Sequence, residues 1–202
     1  LLSLMAMAGV PVPAAEPSAI HFVDEVFADI GDEQAISENL STFSSHVKRI
    51  SRCLREATGD SLVLVDELGS GTDPDEGAAL GSAVLEDLEA RAVLSIVTTH
   101  LGRLKDFAYR HPRAENGAMA FDGATLRPLY RLDVGLPGAS HALDIAGRAG
   151  MPAAIVARAR ELLGARDEAL ELLIEQVQVA RRSAEEERRR TEDLTRQAES
   201  VG

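Results

Sequence analysis

Ser61-Leu62-Val63-Leu64-Val65 runs directly into two adjacent carboxylates, Asp66 and Glu67, and few folds can use such an arrangement. A continuous apolar run reads as a parallel strand covered on both faces, which carries the pair to the strand's carboxyl edge, where open α/β sheets bind their ligands. At such an edge in phosphoryl-transfer sites, one carboxylate holds magnesium and another orients the attacking water. By itself the pattern reads equally as a strand that ends in an acidic turn, and the next thirty residues narrow the choice. Leu68-Gly69-Ser70-Gly71-Thr72 is a turn, Asp73 is suited to N-cap a helix, Pro74 suits the first helical position, and Glu76 completes a capping-box spacing. Leu80, Val84 and Leu88 then recur at helical spacing, which predicts a core face. A second apolar and β-branched run, Ala92 to Thr99, ends at His100. Strand, capped helix and strand predict a βαβ unit with Asp66, Glu67 and His100 on one edge, although a histidine at a strand end also serves simply as a hydrogen-bonding group.

The flanking segments predict further elements. Phe43, Val47, Ile50, Cys53 and Leu54 share one face of a helix that starts at Asn39 or Ser41. The free amides of that helix start form an anion site, or Ser41 is merely its N-cap. Cys53 is the single cysteine, so no intrachain disulfide is possible, and its spacing assigns it to the core of a protein in a reducing compartment. Ala114 to Asp122 and Thr125 to Leu132 flank an Asp122-Gly123 turn and predict a hairpin closing the sheet's edge. Ser140 to Gly147 and Pro152 to Leu163 predict two short helices. Beyond Asp167, Leu170, Leu173, Val177, Ala180, Ala184, Glu187, Thr191, Leu194, Ala198 and Val201 alternate three and four apart, the spacing of a coiled coil or of a solvated single helix.

Composition restricts the partners. The 21 Lys and Arg stand against 33 Asp and Glu, with five Phe, two Tyr and no Trp. Phosphate neutralisation requires a basic face, and single-strand binding requires aromatic platforms, so nucleic-acid contact is expected mainly outside these residues. Apolar runs fall short of the roughly 18 residues that span a bilayer. The opening Leu1 to Gly9 lacks the positive leader of a signal peptide and is expected to be a helix cut at its start. A cytoplasmic location follows as an expectation.

Read in order, these motifs resemble the ATPase domain of the MutS family over roughly residues 1 to 165. Glu38-Asn39-Leu40-Ser41-Thr42-Phe43-Ser44-Ser45-His46 is similar to the family's signature segment, Val65 to Pro74 to its Walker B and D-loop, and Thr98-Thr99-His100 to its histidine switch. Phe27 to Gln34 also matches, and the wording favours the second bacterial branch, linked to suppression of recombination and to rescue of collided ribosomes. The resemblance implies an ABC-like P-loop NTPase sheet, incomplete here, over residues 1–138, a helix-turn-helix dimerisation element over 139–165, and a helical or coiled-coil segment over 166–202. It further implies ATP and Mg2+ as cofactors, with Asp66 holding the metal, Glu67 polarising water and His100 meeting the γ-phosphate. Asn39 and Ser41 would then act on nucleotide held by the opposite protomer, and Thr72 and Asp73 would sit at the dimer seam. Branched or mismatched DNA and the ribosome are the partners implied for the whole protein, with a nuclease-like domain further on.

A P-loop, Gly-x-x-x-x-Gly-Lys followed by Ser or Thr, occurs nowhere in the 202 residues. The expectation is therefore a piece of a larger ATPase that by itself neither binds nor hydrolyses ATP appreciably. Two other classes compete. An ABC or SMC-type ATPase would carry Leu-Ser-Gly-Gly, whereas here Leu40-Ser41 precedes Thr42-Phe43. A dimerisation scaffold with a degenerate ATPase fold would dispense with the P-loop altogether. As a DNA reader the helix-turn-helix is poorly equipped, since Arg148, Arg158, Arg160 and Arg166 form only a modest basic set.

Overall fold

The computed structural model describes residues 1–31, 39–122, 125, 127–135, 137–138, 141–163, 176–177, 179–180, 183–184, 187–188 and 190–191, with the side chains of 39–42 excepted. The chain divides into two compact units, Leu1–Ala114 and Glu115–Gly202.

The first unit is an α/β structure around a three-stranded parallel sheet of order β1-β2-β3, formed by β1 (Glu25–Asp29), β2 (Ser61–Val65) and β3 (Leu94–Val97). The central position of β2 explains its composition. Both edges are paired and both faces covered, so Val63 is wholly buried and Leu62 and Val65 nearly so. As expected, β2 and β3 run parallel, but β3 is an outer strand of this sheet and leaves Leu94 and Ile96 exposed.

Of the helices, α1 (Leu2–Met7) buries no side chain, while α2 (Asn39–Glu56) and α3 (Pro74–Ala90) supply the core. Cys53 and Ala57 pack with Val63, Val65, Leu68, Val84, Leu88, Val93 and Leu104, and Ile50 and Leu54 flank that cluster. The start of α2 at Asn39 and the core position of Cys53 agree with the sequence pattern. The α3 face requires a correction. Its buried residues are Gly77, Ala78, Gly81, Val84 and Leu88, whereas Leu80 is 45% exposed. Glycines occupy the buried first turns because the Gly69 backbone at Gly77 and the Leu104 side chain at Gly81 come too close for a Cβ. Two single-turn helices, α4 (Gly102–Lys105) and α5 (Phe107–Arg110), complete this unit, burying Leu104 and Phe107.

In the second unit, β4 (Gly117–Asp122) and β5 (Arg127–Val134) form the predicted antiparallel hairpin, with an irregularity between Met119 and Phe121. They make a sheet of their own and do not extend β1-β2-β3, which corrects the expectation of an edge-closing hairpin. The tip residue Gly123 lies outside the described residues. Helices α6 (Ala142–Arg148) and α7 (Ala153–Leu163) follow, joined through Gly150 at φ +96°. The ion pair from Arg160 to Asp144 ties the two together. Ser140 and the heptad positions Leu170, Leu173, Leu194, Ala198 and Val201 fall outside the described residues; Val177, Ala180, Ala184, Glu187 and Thr191 are helical and exposed. Among the described residues no helix is long and apolar enough to cross a membrane.

Candidate functional site

The carboxyl edge of the parallel sheet gathers residues from all three strands. β1 ends in Asp29, β2 delivers Asp66 and Glu67, and β3 is followed by Thr98, Thr99 and His100. The backbone continues to pair past the strand ends, with the Asp66 N–H donating to the Asp29 carbonyl at 2.8 Å and the Thr98 N–H to the Val65 carbonyl at 2.9 Å.

Glu67 is the conformational pivot. Its φ is +52°, a left-handed value that is uncommon for a side chain larger than glycine and clusters at functional positions. The residue is exposed, so its carboxylate projects from the edge into solvent rather than into the core. The Thr98 side chain holds this turn: its Oγ1 accepts from the Glu67 N–H at 2.9 Å and its hydroxyl donates to Asp66 Oδ1. The Leu68 N–H reaches the Thr98 carbonyl at 2.9 Å, and the Thr99 hydroxyl reaches the Leu68 carbonyl at 3.1 Å. His100 follows on an exposed, irregular stretch next to this latch.

The turn then passes through Gly69 (φ +85°) and Gly71 (φ +80°) into α3. A Cβ on Gly77 would stand 2.1 Å from the Gly69 carbonyl oxygen, and one on Gly69 would stand 2.7 Å from the Gly77 oxygen, so two glycines are required where turn and helix touch. Asp73 caps α3 as expected, its Oδ1 accepting from the Asp75 N–H at 3.0 Å and the Glu76 N–H at 3.2 Å. Pro74 occupies the first turn. Thr72 lies half-buried in the bend just before that cap.

Asp29 forms a second polar node that the motif reading passed over. It is only 5% exposed and accepts from His46 Nδ1 at 2.8 Å and from Arg49 Nε, which pins α2 to the end of β1. Its signal was present in the sequence, since Glu25-Val26-Phe27-Ala28-Asp29 is also a strand that ends in a carboxylate. Thr98 was read only as part of the histidine-switch segment, because a β-branched residue at the end of an apolar run reads as a strand former and its hydroxyl goes unnoticed. The side chains of Asn39 and Ser41 lie outside the described residues; their backbones form the first turn of α2. Asp66, Glu67 and His100 thus share the sheet edge, and Thr72 and Asp73 stand at the end of the turn that leaves it.

Between α2 and α3 a cleft of about 170 Å³ opens beside the acidic pair, lined by Phe43, Val47, Ile50, Leu54, Leu80 and Val84, with Glu67 and Ser70 at its polar end. This accounts for Leu80, which faces the cleft instead of the sheet. Among the described residues no three His, Cys, Asp or Glu side chains gather into a metal cage. The donor set is instead one hard carboxylate, Asp66, whose Oδ1 accepts from the Thr98 hydroxyl, beside a second carboxylate on the next residue, Glu67. That fits Mg2+, which is held by one or two carboxylates together with water and substrate phosphates, and does not fit a cation that needs a full protein shell.

The family description MutS domain V matches residues 1–166. The protein named Endonuclease MutS2 of Pelotomaculum thermopropionicum is 48% identical over 201 residues, covering all of this chain and 26% of that relative. The protein of the same name from Thermomicrobium roseum is 54% identical over 178 residues, 88% of this chain and 22% of its own length. That from Fusobacterium nucleatum is 46% identical over 198 residues, 98% and 25% respectively. The chain spans about a quarter of the length of these relatives.

Proposed function

Because the chain belongs to the MutS family, we propose that its sheet edge is the metal- and water-handling half of an ATP hydrolysis site. One observation carries this reading: a buried central strand delivers Asp66 and Glu67 to the carboxyl edge, with Glu67 exposed and turned outward at φ +52°. Asp66 would hold Mg2+, which would supply positive charge against the nucleotide phosphates. Glu67 accepts a proton from the attacking water and aligns it with the γ-phosphorus. His100, two residues along from the Thr98 latch, donates to the γ-phosphate as charge develops there.

The phosphate-gripping loop that such a site requires is absent from these 202 residues, so it reaches the edge from outside them. Asn39 and Ser41, in the first turn of α2, contribute to nucleotide bound on a second protomer. Thr72 and Asp73 lie along the seam of that homodimer, and the α6–α7 pair adds to it. The relatives carry the name endonuclease, and we extend to the whole protein a cytoplasmic role in which ATP turnover drives action on branched or mismatched DNA, suppression of recombination, and work on collided ribosomes. In this reading those targets are contacted by regions beyond this acidic chain.

The test is Glu67→Gln in the whole protein. The amide keeps the size and removes the proton acceptor, so ATP binding is retained while turnover falls about 100-fold or more. Equal turnover in the variant removes Glu67 from the role. The 202 residues alone are expected to show no micromolar ATP binding, and nucleotide-independent dimerisation of the whole protein would support a scaffold instead.

A further inference from the structure

We infer that Thr98 is a positioning residue for the acidic pair, acting through its hydroxyl on both members at once; this rests on the ATPase reading above. A threonine hydroxyl has one proton to give and lone pairs to accept with. Both capacities are used here on consecutive residues, the proton on Asp66 Oδ1 and the lone pair on the Glu67 N–H at 2.9 Å.

Each bond has a separate consequence. The bond to Oδ1 restricts the orientation of the Asp66 carboxylate and leaves its other oxygen outside that bond, as a ligand for a cation. The bond to the Glu67 amide helps to hold a backbone at φ +52° that a glutamate does not adopt by preference. Thr98 is itself held, since its N–H donates to the Val65 carbonyl and its carbonyl accepts from the Leu68 N–H, both at 2.9 Å. The side chain is therefore a rigid bracket between the two strand ends.

Valine has the shape of threonine without the hydroxyl, and serine has the hydroxyl without the methyl group. Two measurements on Thr98→Val and Thr98→Ser separate positioning from packing. In the 202-residue chain, amide hydrogen exchange at Glu67 is expected to quicken about five- to tenfold in the valine variant, the factor that goes with one ordinary hydrogen bond, and to stay near wild type in the serine variant. Protection at Val63 in the central strand serves as the folding control.

In the whole protein, the Mg2+ concentration for half-maximal ATP hydrolysis is expected to rise in the valine variant and to be restored by serine. A valine variant that keeps both the Glu67 protection and the wild-type Mg2+ requirement overturns the assignment. So does a serine variant that behaves like valine. Absence of ATP hydrolysis in the wild-type whole protein instead overturns the ATPase reading, while the exchange result, which needs no nucleotide, decides separately whether Thr98 positions the pair.

Discussion

Gly77 illustrates how two backbone effects of opposite sign are decided by geometry. In an open helix Gly→Ala is stabilising by roughly 0.5–1 kcal/mol, because alanine has less chain entropy to lose. At Gly77 the added Cβ would lie 2.1 Å from the Gly69 carbonyl oxygen, a backbone atom that cannot swing away. Overpacking of this kind costs about 1–3 kcal/mol, so Gly77→Ala is expected to lower stability in urea unfolding despite the better helix former. Cys53 offers a pH readout at the same scale. Burial pushes its thiol pKa up, with Arg91 acting in the opposite direction more weakly. The folded state therefore keeps its proton at pH values where the unfolded chain has begun to lose it. That contribution is fully present below the ordinary thiol value of about 8.5 and is lost as pH rises through the higher folded value. Unfolding curves between pH 7 and 10 are expected to show an alkaline loss of stability that is smaller in Cys53→Ala. The core position of Cys53 was legible from its spacing with Ile50 and Leu54. The prohibition at Gly77 was not, since nothing in Asp75-Glu76-Gly77-Ala78 says which backbone approaches it.

At the scale of elements, the two long helices of the first unit, α2 and α3, are held at the sheet edge by distinct devices. α3 begins at a local signal: Asp73 satisfies two free amides of the first turn, and Pro74 has no amide to satisfy. Asp73→Ala is expected to cost about 1 kcal/mol in chemical denaturation, the usual worth of an N-cap. Under the proposed function it would also weaken the dimer seam, so stability and self-association should be measured side by side. α2 is attached through a long-range device instead, the carboxylate of Asp29 between His46 and Arg49. The cap was legible because all its parts lie within four residues. The Asp29 node joins residues 17 and 20 positions apart, and periodicity carries no information about such a pairing. β3 shows the same limit from the other side. Its apolar run reads as a fully buried strand, yet Leu94 and Ile96 are exposed, because burial depends on which neighbours the sheet provides.

For the molecule as a whole, charge decides more than shape. A net charge of -12 opposes close approach to a polyphosphate, since each phosphate contact requires a Lys or Arg to displace counterions. Fluorescence anisotropy with branched or duplex DNA is expected to find no submicromolar, salt-dependent binding by these 202 residues; such binding would relocate the nucleic-acid contact proposed for the rest of the protein into this chain. The hairpin and the α6–α7 pair were predictable as elements from turn residues and helical spacing, but their membership was not, and β4-β5 forms a sheet of its own. Local chemistry therefore determined the strand-helix-strand unit over residues 61–100, its buried parallel strand and the delivery of Asp66 and Glu67 to the carboxyl edge, because these depend on residues close together in the chain. Tertiary structure alone decided that Thr98 brackets the pair, that Gly69 and Gly77 must both lack a side chain, and that Asp29 holds α2. Each of those joins groups brought together only by strand pairing and helix packing, and such distances are not written in any run of consecutive residues.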